Sequence, residues 1–115
     1  MKYLAVLLLL PGLASTVWAN EFRLECLDAY DGKTRLALIE VNTDTATVKI
    51  YSESTHDWKS AVNVSITDAT ISYVEHLFND LTSPAKSATI NRVTGKYFAN
   101  LAKTPRKDGQ CRKVP

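Results

Sequence analysis

Apolar and polar side chains alternate along most of this chain, in short runs separated by turn dipeptides, and a period of two predicts strands. Phe22, Leu24 and Cys26 alternate with Glu21, Arg23 and Glu25, the pattern of a half-buried first strand. Asp31-Gly32 is a strong turn signal. Arg35 to Val41 reads as a second strand, and its mixed apolar run predicts partial burial on both faces. Asn42-Thr43-Asp44 is turn-like, and the strand after it carries Val48 and Ile50 on one face. Ser52 to Asp57 is polar and reads as a loop. Val62, Val64 and Ile66, alternating with Asn63, Ser65 and Thr67, make the cleanest strand pattern of the chain.

The segment from Thr70 to Leu81 carries two patterns. Val74, Leu77, Phe78 and Leu81 have helical spacing, and Ser72 with Glu75 fits a capping box. Thr70 to Val74, however, is rich in β-formers. The preferred reading is a strand through about His76 and then a loop containing Ser83-Pro84, with a helix as the alternative. Ser87 to Val93 and Tyr97 to Ala102 predict a hairpin around Thr94-Gly95-Lys96. Thr104 to Gly109 reads as a polar loop, and Gln110 to Val114 as a last short strand. Recurring short strands predict an all-β fold, a small antiparallel sandwich or barrel.

The first residues break the pattern. Lys2, the apolar run Leu4 to Leu10, the helix-breaking Pro11-Gly12 and the small-residue site ending at Ala19 predict a signal peptide over 1–19. The apolar run falls short of the roughly 20 residues a transmembrane helix needs. Arg23-Leu24-Glu25 before Cys26 lacks the small residues of a lipoprotein signal. With no linker and no internal repeat, residues 20–115 predict a single β-domain without a transmembrane segment after cleavage, in the periplasm or secreted.

Two cysteines are too few for a disulfide-rich scaffold, and their spacing matches no zinc motif. Only one intramolecular pairing exists, Cys26 with Cys111, and it would tie the first strand to the last; intermolecular pairing and free thiols are the alternatives. The chain-entropy model values such a long-loop bridge at about 4–5 kcal/mol.

A formal net charge of +2 hides an uneven distribution. Lys96, Lys103, Arg106, Lys107, Arg112 and Lys113 crowd the C-terminal stretch against Asp108 alone. Asp28, Asp31, Asp44, Asp57, Asp68 and Asp80 are spread through the preceding turns. The basic end either makes weak contact with an anionic surface or pairs with the protein's own acidic turns. Interleaved aromatics are missing from it, so no nucleic-acid partner is expected.

Nothing in the sequence selects a catalytic set. The two histidines, His56 and His76, have no recognised metal spacing, and His56 and Asp57 are neighbours whose side chains point apart on a strand. No Gly-rich phosphate loop is present, so neither enzyme activity, metal nor cofactor is expected. Small stapled β-domains present function on loops, and two are candidates here. Ser52 to Trp58 offers His56 and Trp58, and Lys103 to Gly109 offers Arg106 and Lys107. Trp58 is either a binding anchor or a cover for the core.

The run Thr89-Ile90-Asn91-Arg92-Val93-Thr94-Gly95, followed by Gly109-Gln110-Cys111-Arg112-Lys113-Val114, resembles the end of small exported bacterial β-proteins of unknown function. Those proteins combine an early Cys, an Arg-x-Thr-Gly hairpin and a terminal Gly-x-Cys. Ile71-Ser72-Tyr73 is similar to the aromatic-bearing strand that precedes their hairpin. The resemblance implies a fold and an exported location, and no activity. The Ser-Gly-Ala-x-Tyr loop of the best-known exported lysozyme inhibitors is absent. The expectation is an exported module that binds another protein through its loops, as an inhibitor or immunity protein does. The alternative is an envelope-associated or secreted structural accessory without a discrete site.

Overall fold

The computed structural model describes residues 20–76, 85–101 and 106–115. The predicted signal peptide, the Ser83-Pro84 loop, the helical alternative's Leu77, Phe78 and Leu81, and the start of the Thr104 to Gly109 loop lie outside the described residues.

The described residues form nine strands: β1 Glu21–Asp28, β2 Arg35–Asn42, β3 Thr47–Ser52, β4 Asp57–Ser60, β5 Val62–Ile66, β6 Thr70–His76, β7 Ala85–Asn91, β8 Lys96–Leu101 and β9 Lys107–Val114. They make one antiparallel sheet in the order β4-β3-β2-β1-β9-β8-β7-β6-β5. The two edge strands, β4 and β5, are consecutive in sequence and joined by Ala61 alone. Eight antiparallel steps separate them around the sheet, so they run in the same direction as halves of one bent strand. The first half pairs with β3 and the second with β6, which rolls the meander into a nearly closed barrel. Closure removes the exposed edges that invite intermolecular pairing.

The bend has a local cause. Asn63 has φ 51°, and the β5–β6 register shifts between Val62 and Ser65, a β-bulge. Lys59 lies opposite the buried Ile50, and Ala61 packs on the core, so odd positions face inward before the bulge. After it Val64 and Ile66 pack on the core, so even positions do. Val62 instead faces outward, opposite Val74. The predicted alternation of Val62, Val64 and Ile66 on one face is therefore corrected: the bulge residue reverses the parity within the run.

A salt-bridged cluster covers the remaining gap, where β4 parts from β6. Lys59 Nζ donates to the His76 carbonyl at 2.8 Å and lies 3.2 Å from a Glu75 carboxylate oxygen. Lys86 Nζ is 3.2 Å from the other. Glu75 is inward-facing, with a side chain only 12% exposed, and the two ammonium groups balance its charge.

The core fills the barrel. Ile39, Val41, Val48, Ile71 and Ile90 are essentially inaccessible, together with Tyr73 and Tyr97. Small residues stand beside the two rings: Ala88 opposite Tyr73, and Gly109 opposite Tyr97. A Cβ on Gly109 would sit 2.7 Å from the Leu27 carbonyl oxygen and 3.1 Å from a Tyr97 ring carbon, so close approach requires glycine there. Burial pushes the Tyr97 hydroxyl up to about 12 and that of Tyr73 well above its ordinary value; the Glu75 charge adds to both. Leu36 and Leu38, on the other face of β2, are half-buried, as the mixed run predicted.

Cys26 and Cys111 are directly opposite on β1 and β9, with Cα atoms 3.9 Å apart, and form a disulfide that joins the first strand to the last. β9 begins at Lys107, paired with Ala99 of β8, so the loop predicted through Gly109 ends earlier than its polar composition suggests. Asp108 is polar because it faces outward, and Lys107, opposite the buried Ala99, because it stands at the rim where the barrel meets water.

Candidate functional site

The barrel has two rims. The first carries the β1–β2 and β3–β4 connections, the end of β6 and the start of β9. The second carries the β2–β3, β5–β6 and β7–β8 turns, the start of β1 and the end of β9.

On the first rim, the β1–β2 loop is held by its own acidic residues. Asp31 Oδ1 accepts from the backbone N–H of Lys33 at 2.8 Å and of Thr34 at 2.9 Å, while Oδ2 accepts from the Thr34 hydroxyl at 2.6 Å. These bonds, the Thr34 hydroxyl foremost, hold the Asp31 carboxyl down at about 2. Asp28 Oδ1 accepts from Tyr30 N–H at 2.7 Å, and Gly32, at φ 66°, closes the turn on the Asp28 carbonyl. Ala29 N–H donates to the Asp108 carbonyl at 3.0 Å, which hooks the loop to the head of β9. The result is a braced loop with Tyr30 on its tip, 99% exposed.

Beside this loop a shallow groove of about 600 Å³ runs along the outer wall, lined by Ala29, Phe98, Arg106 and Asp108 among others. Phe98 is 39% exposed. The Arg106 guanidinium carbon lies 5.2 Å from the Phe98 ring centroid, and Arg106 Nε is 3.0 Å from an Asp108 carboxylate oxygen. The ion pair and the ring hold a flexible cation in one place. Lys107 is exposed at the start of β9.

The other two predicted site residues lie elsewhere. Trp58 is on β4, separated from β9 by β3, β2 and β1, and so about halfway around the barrel. It neither projects from a loop nor enters the core. Its ring packs edge-on against Tyr51, its cross-strand partner, with centroids 5.3 Å apart, and Arg23 lies 5.1 Å from its centroid. His56 sits in the β3–β4 turn at φ 55°, its Nδ1 3.2 Å from the Tyr51 hydroxyl. The structure thus gathers Arg106 and Lys107 at one place and puts His56 and Trp58 at another. Tyr30, which the sequence analysis passed over, stands out at the first. The available signal was an aromatic inside an Asp-rich turn, where no strand pattern gives it a core to cover.

Part of the basic end is spent internally. Arg112 Nη2 is 2.9 Å from Glu25 on the neighbouring strand, and Arg35 binds the other Glu25 oxygen at 3.3 Å. The Arg112 bond, foremost among these contacts, holds the Glu25 carboxyl below its ordinary value. The acidic partners of Arg106 and Arg112 come from β9 itself and from β1. Among the described residues no group of three or more His, Cys, Asp or Glu side chains is placed to hold a metal ion, and no helix is long and apolar enough to cross a membrane.

No family model, curated protein or solved structure matches this chain.

Proposed function

We propose that this barrel is an exported protein-binding module, of the inhibitor or immunity kind, that engages its partner through the first rim. The single observation that carries the reading is Tyr30, fully exposed on a loop whose backbone is already fixed. An exposed tyrosine combines a large apolar face with a polar tip, the amphipathic combination enriched at protein interfaces. Tyr and Arg are the residues that most often dominate binding energy at protein interfaces. A loop braced before binding loses little conformational freedom when it docks. Phe98 and Arg106 extend the same surface along the groove. The Cys26–Cys111 disulfide supports export to the periplasm or the medium, because such bridges persist in oxidising compartments.

The reading is of a binding protein and not an enzyme. The alternative, an accessory that adheres to anionic surfaces by its basic end, is weakened by the pairing of Arg106 with Asp108 and of Arg112 with Glu25.

The test is capture from an extract of the native envelope, with wild-type protein against Tyr30→Ala and Arg106→Glu. One stoichiometric partner, held at high salt where exposed ion pairs are screened and lost from both variants at unchanged melting temperature, is the expected result. Adhesion that disappears with salt, or a partner that both variants hold equally well, rejects the proposal.

A further inference from the structure

The interior of the barrel contains a polar group that the fold leaves without a partner. Tyr73 is 2% exposed, and among the described residues its hydroxyl is the one buried side-chain oxygen or nitrogen that makes no hydrogen bond. A hydroxyl in that position has given up its bonds to solvent and gained none in exchange. Buried polar groups in folded proteins almost always have a partner, either a protein group or an ordered water.

The surroundings of the hydroxyl narrow the choice. Tyr73 and Glu75 share the inward parity of β6, two residues and so roughly 7 Å apart along the strand. Tyr97 comes from β8, and only β7 stands between. Burial raises both hydroxyls and the Glu75 charge adds to each, so both lie within the field of one carboxylate. The Tyr97 hydroxyl is close enough to influence that of Tyr73, yet it is not placed to complete a hydrogen bond with it. Space is available at this level of the barrel. The layer of Tyr73 continues through its neighbours Ala88 and Ala99, so two successive strands contribute only a methyl group there. Acceptor capacity is available too. The Glu75 oxygens face Lys59 and Lys86, one each, and a carboxylate oxygen accepts more than one bond.

The missing partner must be small, accept from two hydroxyls and donate to a carboxylate. Water has that combination, and it needs only about one probe sphere of room and two to four polar partners. We infer that the barrel interior binds a structural water that accepts from the Tyr73 and Tyr97 hydroxyls and donates to the Glu75 carboxylate. The water carries the Lys59–Glu75–Lys86 cluster inward, so the ion pairs covering the gap between β4 and β6 are hydrogen-bonded to the core beneath them. This interior site shares no residue with the first-rim contact of Tyr30, Phe98 and Arg106, so the two proposals fail separately.

The experiment compares water oxygen-17 relaxation dispersion for the oxidised wild type and Tyr73→Phe, a signal to which exchanging hydroxyl protons do not contribute. The wild type should hold about one more long-lived water than the variant. Tyr73→Phe should also melt a few degrees lower, because it deletes a satisfied hydroxyl and leaves the water short of a donor. Equal dispersion in the two proteins overturns the inference, and the melt then says what stands in its place. A lowered melt marks a direct Tyr73–Tyr97 bond, and an unchanged or raised one marks a hydroxyl that is buried without a partner.

Discussion

At the scale of single residues, the first rim is shaped by side chains that fix backbone. Asp31 satisfies three donors of its own loop and so delivers Tyr30 in one conformation. Those bonds hold the Asp31 carboxyl at about 2, below its ordinary value. A depressed carboxylate contributes stability that is complete above its unfolded value, near 4, and is lost as pH falls through its folded value. Between about pH 4 and 2 the melting temperature of the wild type should therefore fall more steeply than that of Asp31→Ala, which starts lower at neutral pH. Parallel curves across that window would show that Asp31 does not brace the loop. The turn itself was legible, since Asp-Gly between two strand patterns has few other uses. Tyr30 was not, because a sequence shows an aromatic without showing whether anything covers it. Trp58 makes the converse point: the sequence offered it as a binding anchor or a cover for the core, and its ring packs on the outer face against Tyr51 of the same hairpin and Arg23 of β1.

At the scale of elements, the period of two located β1, β2, β3, β6, β7 and β8 because their inner faces meet one continuous core. It misread β5, where the residue pattern was cleanest. The extra residue at Asn63 changes which positions face inward, and a bulge is a feature of pairing that composition does not encode. It also missed β4 as a separate strand, for Asp57 to Ser60 carries Lys59 inside and Trp58 outside, the reverse of an apolar-in, polar-out pattern. A lysine facing inward is reasonable only beside Glu75, which is brought there by β6. The joint between β1 and β9 is the element that the sequence did announce. Its cysteines are 85 residues apart, and the chain-entropy model assigns the closed loop about 4–5 kcal/mol. Cys111→Ser should accordingly lower the melting temperature by many degrees in non-reducing buffer, and reductant should lower the wild type to a similar value. A melt unmoved by either change would remove the disulfide from the account of stability.

At the scale of the whole molecule, the barrel separates its chemistry between inside and ends. Among the described residues the interior is apolar apart from the Glu75 cluster and two tyrosines whose hydroxyls burial keeps protonated. A group whose folded value is raised contributes stability that is complete below its unfolded value, near 10, and is lost as pH rises through the folded one. For Tyr97 that limit is about 12, so its phenolate should appear together with loss of the barrel's circular dichroism. Ionisation of Tyr97 in a protein still folded at about pH 11 would contradict its burial. Of the proposed first-rim surface, local pattern named Arg106 and Lys107 but not Tyr30 or Phe98, because the surface is assembled from residues far apart in the chain. By itself the sequence determined the β class, the inward faces of most strands other than β4 and β5, and the single possible intramolecular disulfide, because alternation and cysteine count are local or exhaustive. Only the tertiary structure decided that the sheet closes into a barrel, that the β1–β2 loop lies beside the head of β9 while Trp58 stands four strands away, and that Arg92 and Lys113 both reach the Phe22 ring. Those outcomes depend on which strand lies beside which, and pairing is fixed by long-range packing and register.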